Sequence, residues 1–132
     1  MEGWQTQVRT ASAAAVASTC RLTVLLPTYN EELAIEAVLD EIVAALSGES
    51  IRYEILVVDD ASTDATAALA ERYAADCWQC RVRVIRCPEN RGAGAARKVG
   101  IRAAQGELVA MLDADGTYPA ECIPELLKHF PA

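Results

Sequence analysis

Two aspartates separated by one residue have the most definite chemistry in this sequence. Asp113 and Asp115 follow the apolar segment 107–112, and alternate residues leaving a strand can turn toward one point. Two carboxylates placed in this way suit Mg²⁺ or Mn²⁺, which prefer oxygen ligands, while water and phosphate oxygens fill the remaining positions. An Asp-X-Asp triplet by itself is more often a solvated loop. After an apolar strand, this pair predicts a divalent-cation site for a diphosphate.

Further polar clusters directly follow other apolar segments: Thr28-Tyr-Asn-Glu31, Asp59-Asp60 and Asn90-Arg-Gly92. Each can be explained singly as turn and helix-cap chemistry. If the apolar segments are parallel strands, however, their carboxyl ends share one edge of the sheet, and open α/β sheets bind ligands at that edge. We therefore expect the clusters to contribute to one site.

Segment 90–98 combines glycines with basic residues. It is not a dinucleotide fingerprint, because it lacks the third glycine and follows the third strand rather than the first. Gly92 and Gly94 still allow close backbone approach at the start of a helix, where Arg97 and Lys98 could neutralise phosphate charge. The alternative is a tight turn followed by two solvated cations.

The hydrophobic pattern predicts the elements that must position these residues. Short apolar runs indicate strands at 21–27, 53–60, 81–87 and 107–112. Strands that alternate with helices predict an α/β fold with an open, mainly parallel sheet and helices on both faces.

Helical spacing predicts the crossover segments. The first helix begins after Asn30 and ends near Gly48, and its buried face holds Ile35, Val38, Leu39, Ile42, Val43 and Leu46. Further helices are predicted at about 62–75 and 93–104. Pro119 opens a last helix, whose inner face holds Ile123, Leu126, Leu127 and Phe130.

Length and charge restrict the class of protein. A chain of 132 residues forms one domain at most; we expect residues 1–20 to be a flexible alanine-rich leader and 21–132 to fold. The formal charge of −7 disfavours binding to nucleic acid, so a phosphate ligand needs a local site. No apolar run approaches the ~20 residues that cross a bilayer. The cysteines, including Cys77 and Cys80, are expected to be reduced cytosolic thiols.

Taken together and in this order, the clusters resemble the motifs of family-2 glycosyltransferases, which have the GT-A fold. The resemblance extends over about residues 21–130 and rests on Leu26-Pro-Thr-Tyr-Asn-Glu-Glu32, Val57-Val-Asp-Asp-Ala-Ser-Thr-Asp-Ala-Thr66, Asn90-Arg-Gly-Ala-Gly-Ala-Ala-Arg97 and Leu112-Asp-Ala-Asp-Gly-Thr-Tyr-Pro119. The opening Pro-Thr-Tyr-Asn-Glu is most similar to the dolichol-phosphate mannosyltransferase and polyprenyl-phosphate glycosyltransferase branch.

The resemblance implies roles for individual residues. Asp113 and Asp115 would bind the metal and the diphosphate, with Asp115 as the candidate catalytic residue. Thr117 lies where relatives in that branch often have a Gln metal ligand, and Asp64 is assigned to a helix cap rather than to the site. The candidate residues for nucleotide-sugar binding, which include a nucleoside pocket and a base or ribose contact, are Pro27, Tyr29, Glu31, Asp59, Asp60, Gly92, Arg97 and Asp113.

The resemblance also implies a reaction, the transfer of a sugar with inversion from a UDP- or GDP-linked donor. The expected acceptor is a polyprenyl (dolichyl or undecaprenyl) phosphate, which is already anionic at neutral pH and needs no general base. Two alternatives are a non-catalytic nucleotide-sugar-binding fragment and a sugar nucleotidyltransferase. The latter is disfavoured because we would expect a Gly-rich loop straight after its first strand.

The motifs cover about half of the family's domain, and the acceptor-binding region would lie beyond Ala132. We therefore expect the N-terminal part of a longer enzyme, inactive by itself. The expected location is cytoplasmic, and for the full-length protein the inner face of the membrane is a further option.

Overall fold

The fold is built on a parallel sheet of four strands. The computed structural model of the protein describes residues 20–78, 81–117 and 119–130, so the predicted leader, apart from Cys20, and Cys80 lie outside the described residues. The strands are β1 (Leu22–Thr28), β2 (Tyr53–Asp59), β3 (Arg81–Arg86) and β4 (Leu108–Met111). They pair in the order β3-β2-β1-β4, every pair parallel. The prediction of a parallel α/β sheet is confirmed.

Helices cover both faces of this sheet. They are α1 (Ile35–Leu46), α2 (Thr66–Asp76), α3 (Ala93–Ala103) and α4 (Cys122–Leu127). The residues of α1, α2 and α4 share one core with alternate residues of β1 and β2. The opposite face packs against α3 through a smaller core: Leu25, Leu56, Val58, Ala96 and Ala103. No helix of the described residues is both long and apolar enough to cross a membrane.

The predicted buried face of α1 is confirmed at every position, because all six residues are nearly inaccessible to solvent. Of the four residues predicted for the inner face of the last helix, two are confirmed and two are wrong. Ile123 is buried and Leu127 packs against the core, but Leu126 is 56% and Phe130 53% exposed. Helix α4 ends at Leu127 after less than two turns, so Phe130 lies beyond it and the helix presents only a narrow apolar face.

Three helices begin later than their sequences predict. Helix α4 begins at Cys122 rather than at Pro119, because the carbonyls of Pro119 and Ala120 accept the N–H groups of Cys122 (3.1 Å) and Ile123 (3.0 Å) in turns before the helix. Helix α1 begins at Ile35 rather than directly after Asn30, and α2 begins at Thr66 rather than near Ser62. The polar residues that looked like helix caps instead form hydrogen bonds between the two loops, as described below. A tertiary contact has therefore taken the place of local capping.

A buried ion pair joins the opposite end of the sheet to the end of α3. Glu54 is 1% exposed, and its carboxylate accepts hydrogen bonds from Arg83 Nε (2.8 Å), Thr23 Oγ1 (2.7 Å) and the backbone N–H of Gln105 (2.8 Å). Arg83 also donates to the carbonyl of Ala103 (2.8 Å). Burial raises the pKa of Glu54, but these donors outweigh burial and lower it. The network fixes the orientation of α3 on the sheet.

Candidate active site

The strand order places a switch point between β1 and β4. Successive strands β1, β2 and β3 extend the sheet in one direction, whereas β4 pairs with the other side of β1. Ligands of open α/β sheets bind outside the carboxyl ends of the strands at such a point. The loop after β1 carries Tyr29 and Glu31, and the loop after β4 carries Asp113 and Asp115. The residues predicted for the nucleoside and for the metal therefore lie on the two loops that border the gap beyond the last pair of β1 and β4, which we call the crevice.

Pro27 allows the two strands to separate at this crevice. Pairing of β1 with β4 ends at Leu25 and Met111, whereas pairing with β2 continues to Thr28 and Asp59. Leu25 faces β4, since its carbonyl accepts the N–H of Leu112 (3.0 Å), and Pro27 faces the same side two residues later. Because β4 has already ended, the missing N–H of Pro27 leaves no ladder hydrogen bond unmade.

The two aspartates that follow one another at the end of β2 are buried and hold neighbouring backbone. Asp59 accepts from the N–H (3.0 Å) and the hydroxyl (2.5 Å) of Ser62. Asp60 accepts from the backbone N–H groups of Arg91 (2.9 Å) and Gly92 (2.8 Å). Asp59 thus shapes the turn after β2, and Asp60 ties the start of α3 to the site. Their contact with base or ribose stays a prediction.

Hydrogen bonds between residues 30–32 and 62–66, which we call the loop clasp, join the loop after β1 to the loop before α2. Asn30 donates its backbone N–H to Ser62 Oγ (2.9 Å), and its Oδ1 accepts the N–H of Thr63 (2.9 Å). The N–H of Ala65 donates to Glu32 Oε1 (3.0 Å). Asn30 (φ 51°) and Ala61 (φ 59°) both have left-handed backbones, which non-glycine residues adopt at a cost. The clasp therefore holds both loops in specific conformations.

Thr66 and Asp64 form the other half of the clasp. The N–H of Glu31 donates to Thr66 Oγ1 (2.8 Å), and the N–H of Glu32 donates to Asp64 Oδ2 (3.3 Å). Asp64 Oδ1 accepts from both the N–H (2.9 Å) and the hydroxyl of Thr66. Burial raises the pKa of Asp64 but these hydrogen bonds lower it overall, so the carboxylate is held in its ionised form.

Negative charge accumulates beside Glu31. Its pKa is raised, first by partial burial and then by the charges of Asp115 and Asp64. Carboxylates on the loops after β1, β2 and β4 therefore repel one another at this edge of the sheet. A cation bound in the crevice would relieve this repulsion.

The Asp113–Asp115 loop fits a divalent cation. Both side chains are exposed, and Asp115 Oδ1 accepts from the hydroxyl (2.7 Å) and the N–H (2.9 Å) of Thr117, which lowers the pKa of Asp115. The described residues contain no group of three or more His, Cys, Asp or Glu side chains that could hold a metal by themselves. Diphosphate and water oxygens would have to complete the shell.

The remaining predicted residues lie around the same edge. Tyr29 is 45% exposed beside the crevice, where its ring is available to a ligand. Gly92 precedes α3 with φ 97°, a conformation that favours glycine, and Arg97 is exposed on the first half of that helix. The structure thus places these residues at one edge, and their contacts with a ligand stay predictions.

Comparison with known proteins decides the family. Residues 23–132 match the model for glycosyl transferase family 2. The chain belongs to this family. Human dolichyl-phosphate beta-glucosyltransferase is 40% identical over 115 residues, which cover 83% of this chain and 36% of the human enzyme. The chain therefore spans about a third of the length of this family-2 relative.

Solved structures show the same fold. Residues 1–349 of S. aureus TarS, in complex with UDP-GlcNAc, match with a TM-score of 0.69 and 30% identity, over 82% of this chain and 30% of that TarS chain. The mannosyltransferase PcManGT of Pyrobaculum calidifontis, in complex with GDP-Man and Mn²⁺, matches with a TM-score of 0.67 and 29% identity, over 91% of this chain and 39% of PcManGT. These matches confirm the expected GT-A fold for this family-2 chain.

The part that Asp64 and Thr66 play beneath the site could not be predicted from the sequence. The spacing predicted Asp64 as a helix cap, but the N-cap of α2 is Ala65, and Asp64 instead accepts from the N–H groups of Thr66 and of Glu32 in the loop after β1. The available signal was the spacing Asp64-Ala-Thr66, which places a carboxylate, a hydroxyl and a helix start together. The partner loop could not be identified from that spacing.

Proposed function

We propose that this chain forms the nucleotide-sugar-binding part of a glycosyltransferase that transfers a sugar from a UDP- or GDP-linked donor, with inversion, to a polyprenyl phosphate. One observation carries the proposal: the Asp113–Asp115 loop and the loop bearing Glu31 leave neighbouring strands at the switch point, where burial first and then the charges of Asp115 and Asp64 raise the pKa of Glu31. Such a crevice suits a ligand that pairs a nucleoside with a diphosphate and its cation.

Different residues of the chain would bind different parts of the donor. Tyr29 and Pro27 would form an apolar wall for the nucleoside, while Asp60 holds the Gly92 loop in position for close approach of the donor. Asp113 and Asp115 would hold Mg²⁺ or Mn²⁺, which neutralises charge on the departing nucleoside diphosphate. Thr117 fixes one oxygen of Asp115, so that the carboxylate is oriented before the donor binds.

The acceptor is inferred from chemistry and from named relatives. A phosphate monoester is anionic at neutral pH and can attack the anomeric carbon without a general base. The human relative is a dolichyl-phosphate beta-glucosyltransferase, and a relative from Aeromonas hydrophila, 37% identical over 107 residues, is an undecaprenyl-phosphate 4-deoxy-4-formamido-L-arabinose transferase. The chemistry and the names of these relatives therefore both favour a lipid phosphate as the acceptor.

Titration calorimetry of the chain with UDP and with GDP tests the donor site. We expect binding of one nucleotide in Mn²⁺ and loss of that binding in EDTA. Equal binding in EDTA would contradict the metal assignment to Asp113 and Asp115. Absence of binding by both nucleotides in Mn²⁺ would contradict the donor site itself.

A further inference from the structure

We propose that Thr66 is a positioning residue for nucleotide binding: its hydroxyl fixes the backbone of Glu31, and with it the loop that carries Tyr29. Thr66 itself is fully buried, so it acts through that loop and not by contact with a ligand. The proposal rests on the proposed function for the identity of the ligand.

The hydrogen bonds of Thr66 allow only one arrangement of its hydroxyl. An ionised carboxylate can only accept, so the single hydroxyl proton of Thr66 points to Asp64 Oδ1. A lone pair of Oγ1 is then left to accept the N–H of Glu31 (2.8 Å). Asp64 therefore orients the hydroxyl, and the hydroxyl holds the backbone of Glu31.

Burial makes this contact hard to replace. Thr66 has no solvent exposure, so water has no access to take over the role of its hydroxyl. Loss of the hydroxyl would leave the N–H of Glu31 without its acceptor, and an amide that loses its partner favours other loop conformations. Tyr29 and Glu31 would then be less often in the binding conformation, which lowers the apparent affinity for nucleotide.

Thr66→Val removes both contacts of the hydroxyl, to the N–H of Glu31 and to Asp64 Oδ1. Valine keeps the shape of threonine, and its backbone N–H can still donate to Asp64 Oδ1, so this contact at the start of α2 remains. We expect Thr66→Val to weaken Mn²⁺-dependent binding of UDP or GDP about fivefold or more. Thr66→Ser keeps the hydroxyl and should bind within about twofold of the wild type.

Thr23→Val is the matched control. Thr23 is also fully buried and also bonds a carboxylate, that of Glu54, but at the opposite end of the sheet. We expect it to lower the free energy of unfolding without weakening nucleotide binding at a temperature where the protein remains folded. Equal loss of affinity in both valine variants, or no rescue by serine, would overturn the proposal.

Amide hydrogen exchange separates this proposal from the proposed function. In Thr66→Val the amide of Glu31 should exchange faster than in the wild type, while amides in the centre of β2 remain unchanged. Unchanged exchange at Glu31 would overturn the positioning role even if nucleotide binds. If the wild type binds no nucleotide, the proposed function fails and exchange at Glu31 still decides whether Thr66 fixes the loop. Thr66→Ala, which favours the helix, replaces the valine variant if that variant does not fold.

Discussion

The side chain of Asp115 is oriented by hydrogen bonds within its own loop. Thr117 donates two hydrogen bonds to Oδ1, and the carboxylate remains exposed at the crevice. Thr117 stands where the family resemblance suggested a glutamine metal ligand; here its hydroxyl contacts the aspartate. The sequence pointed to Thr117, and the structure indicates that Thr117 orients Asp115 by hydrogen bonds.

Asp115→Asn tests the metal site at this scale. The neutral amide loses the charge that attracts a cation, so we expect Mn²⁺-dependent nucleotide affinity to fall at least about tenfold. Calorimetry with UDP and GDP measures the change. Asp76→Asn is the control, because Asp76 is an exposed aspartate at the far end of α2, away from the carboxyl ends of the strands. A similar loss in both variants would contradict a specific role for Asp115.

Helix α3 shows how an element positions a loop of the site. Its first residues follow Gly92, which Asp60 holds, and its last residues contact the Glu54–Arg83 pair. Gly100 lies in the middle, directly over Leu25 of β1. The helix can approach the sheet closely only because Gly100 has no side chain.

Gly100→Ala should therefore destabilise the fold. A Cβ atom at this position would lie 2.2 Å from Leu25 Cδ1, and Leu25 is fully buried, so the core must shift. We expect the free energy of unfolding to fall by about 1–3 kcal/mol. Gly94→Ala is the control on the same helix, where no atom lies within 4 Å of the added Cβ. It should stabilise the protein by up to about 1 kcal/mol in the same urea titration. Equal effects of the two substitutions would contradict the close packing.

Charged side chains differ in burial between the two ends of the sheet. At the carboxyl ends of the strands, Asp113 and Asp115 are exposed, whereas at the other end Glu54 is buried and paired. The buried pair fixes the sheet and α3 as one body. The exposed carboxylates of Asp113 and Asp115 therefore lie at the edge of a rigid sheet.

Glu54→Gln should reduce the stability of the protein more than the removal of an exposed charge does. It leaves the Arg83 guanidinium without its partner, which we expect to cost about 3 kcal/mol or more at neutral pH. Glu71→Gln is the control, since Glu71 pairs with Arg86 on the surface and should contribute less than about 1 kcal/mol. Urea titration measures both. A loss for Glu54→Gln no larger than that for Glu71→Gln would contradict the buried pair.

The same pair predicts how stability depends on pH. The pKa of Glu54 is lowered on folding, so its contribution is present above the ordinary glutamate pKa of about 4.3 and is lost as the pH falls through the lower folded value. The difference in stability between the wild type and Glu54→Gln should therefore shrink when urea titrations are repeated at about pH 3. A difference that stays constant or grows would show that the charge of Glu54 is not the cause.

The sequence by itself determined the strands, the helices between them and the edge where the site lies. Apolar runs and helical spacing are local properties, so the bounds of β1 and β2 could be predicted to within one residue, and the buried face of α1 residue by residue. The family motifs also identified Asp113 and Asp115, because a short spacing after a strand is visible in the chain.

Only the tertiary structure decided which polar residues of the candidate site are exposed and which are buried by hydrogen bonds within the protein. Asp60 and Asp113 both follow strands, yet Asp60 is buried by backbone donors 31 and 32 residues away, whereas Asp113 is exposed. The late start of α1 has the same cause, because Asn30 bonds to Thr63 instead of capping the helix. Hydrogen-bond partners distant in sequence leave no local pattern, so their choice becomes visible only when the sheet has brought the loops together.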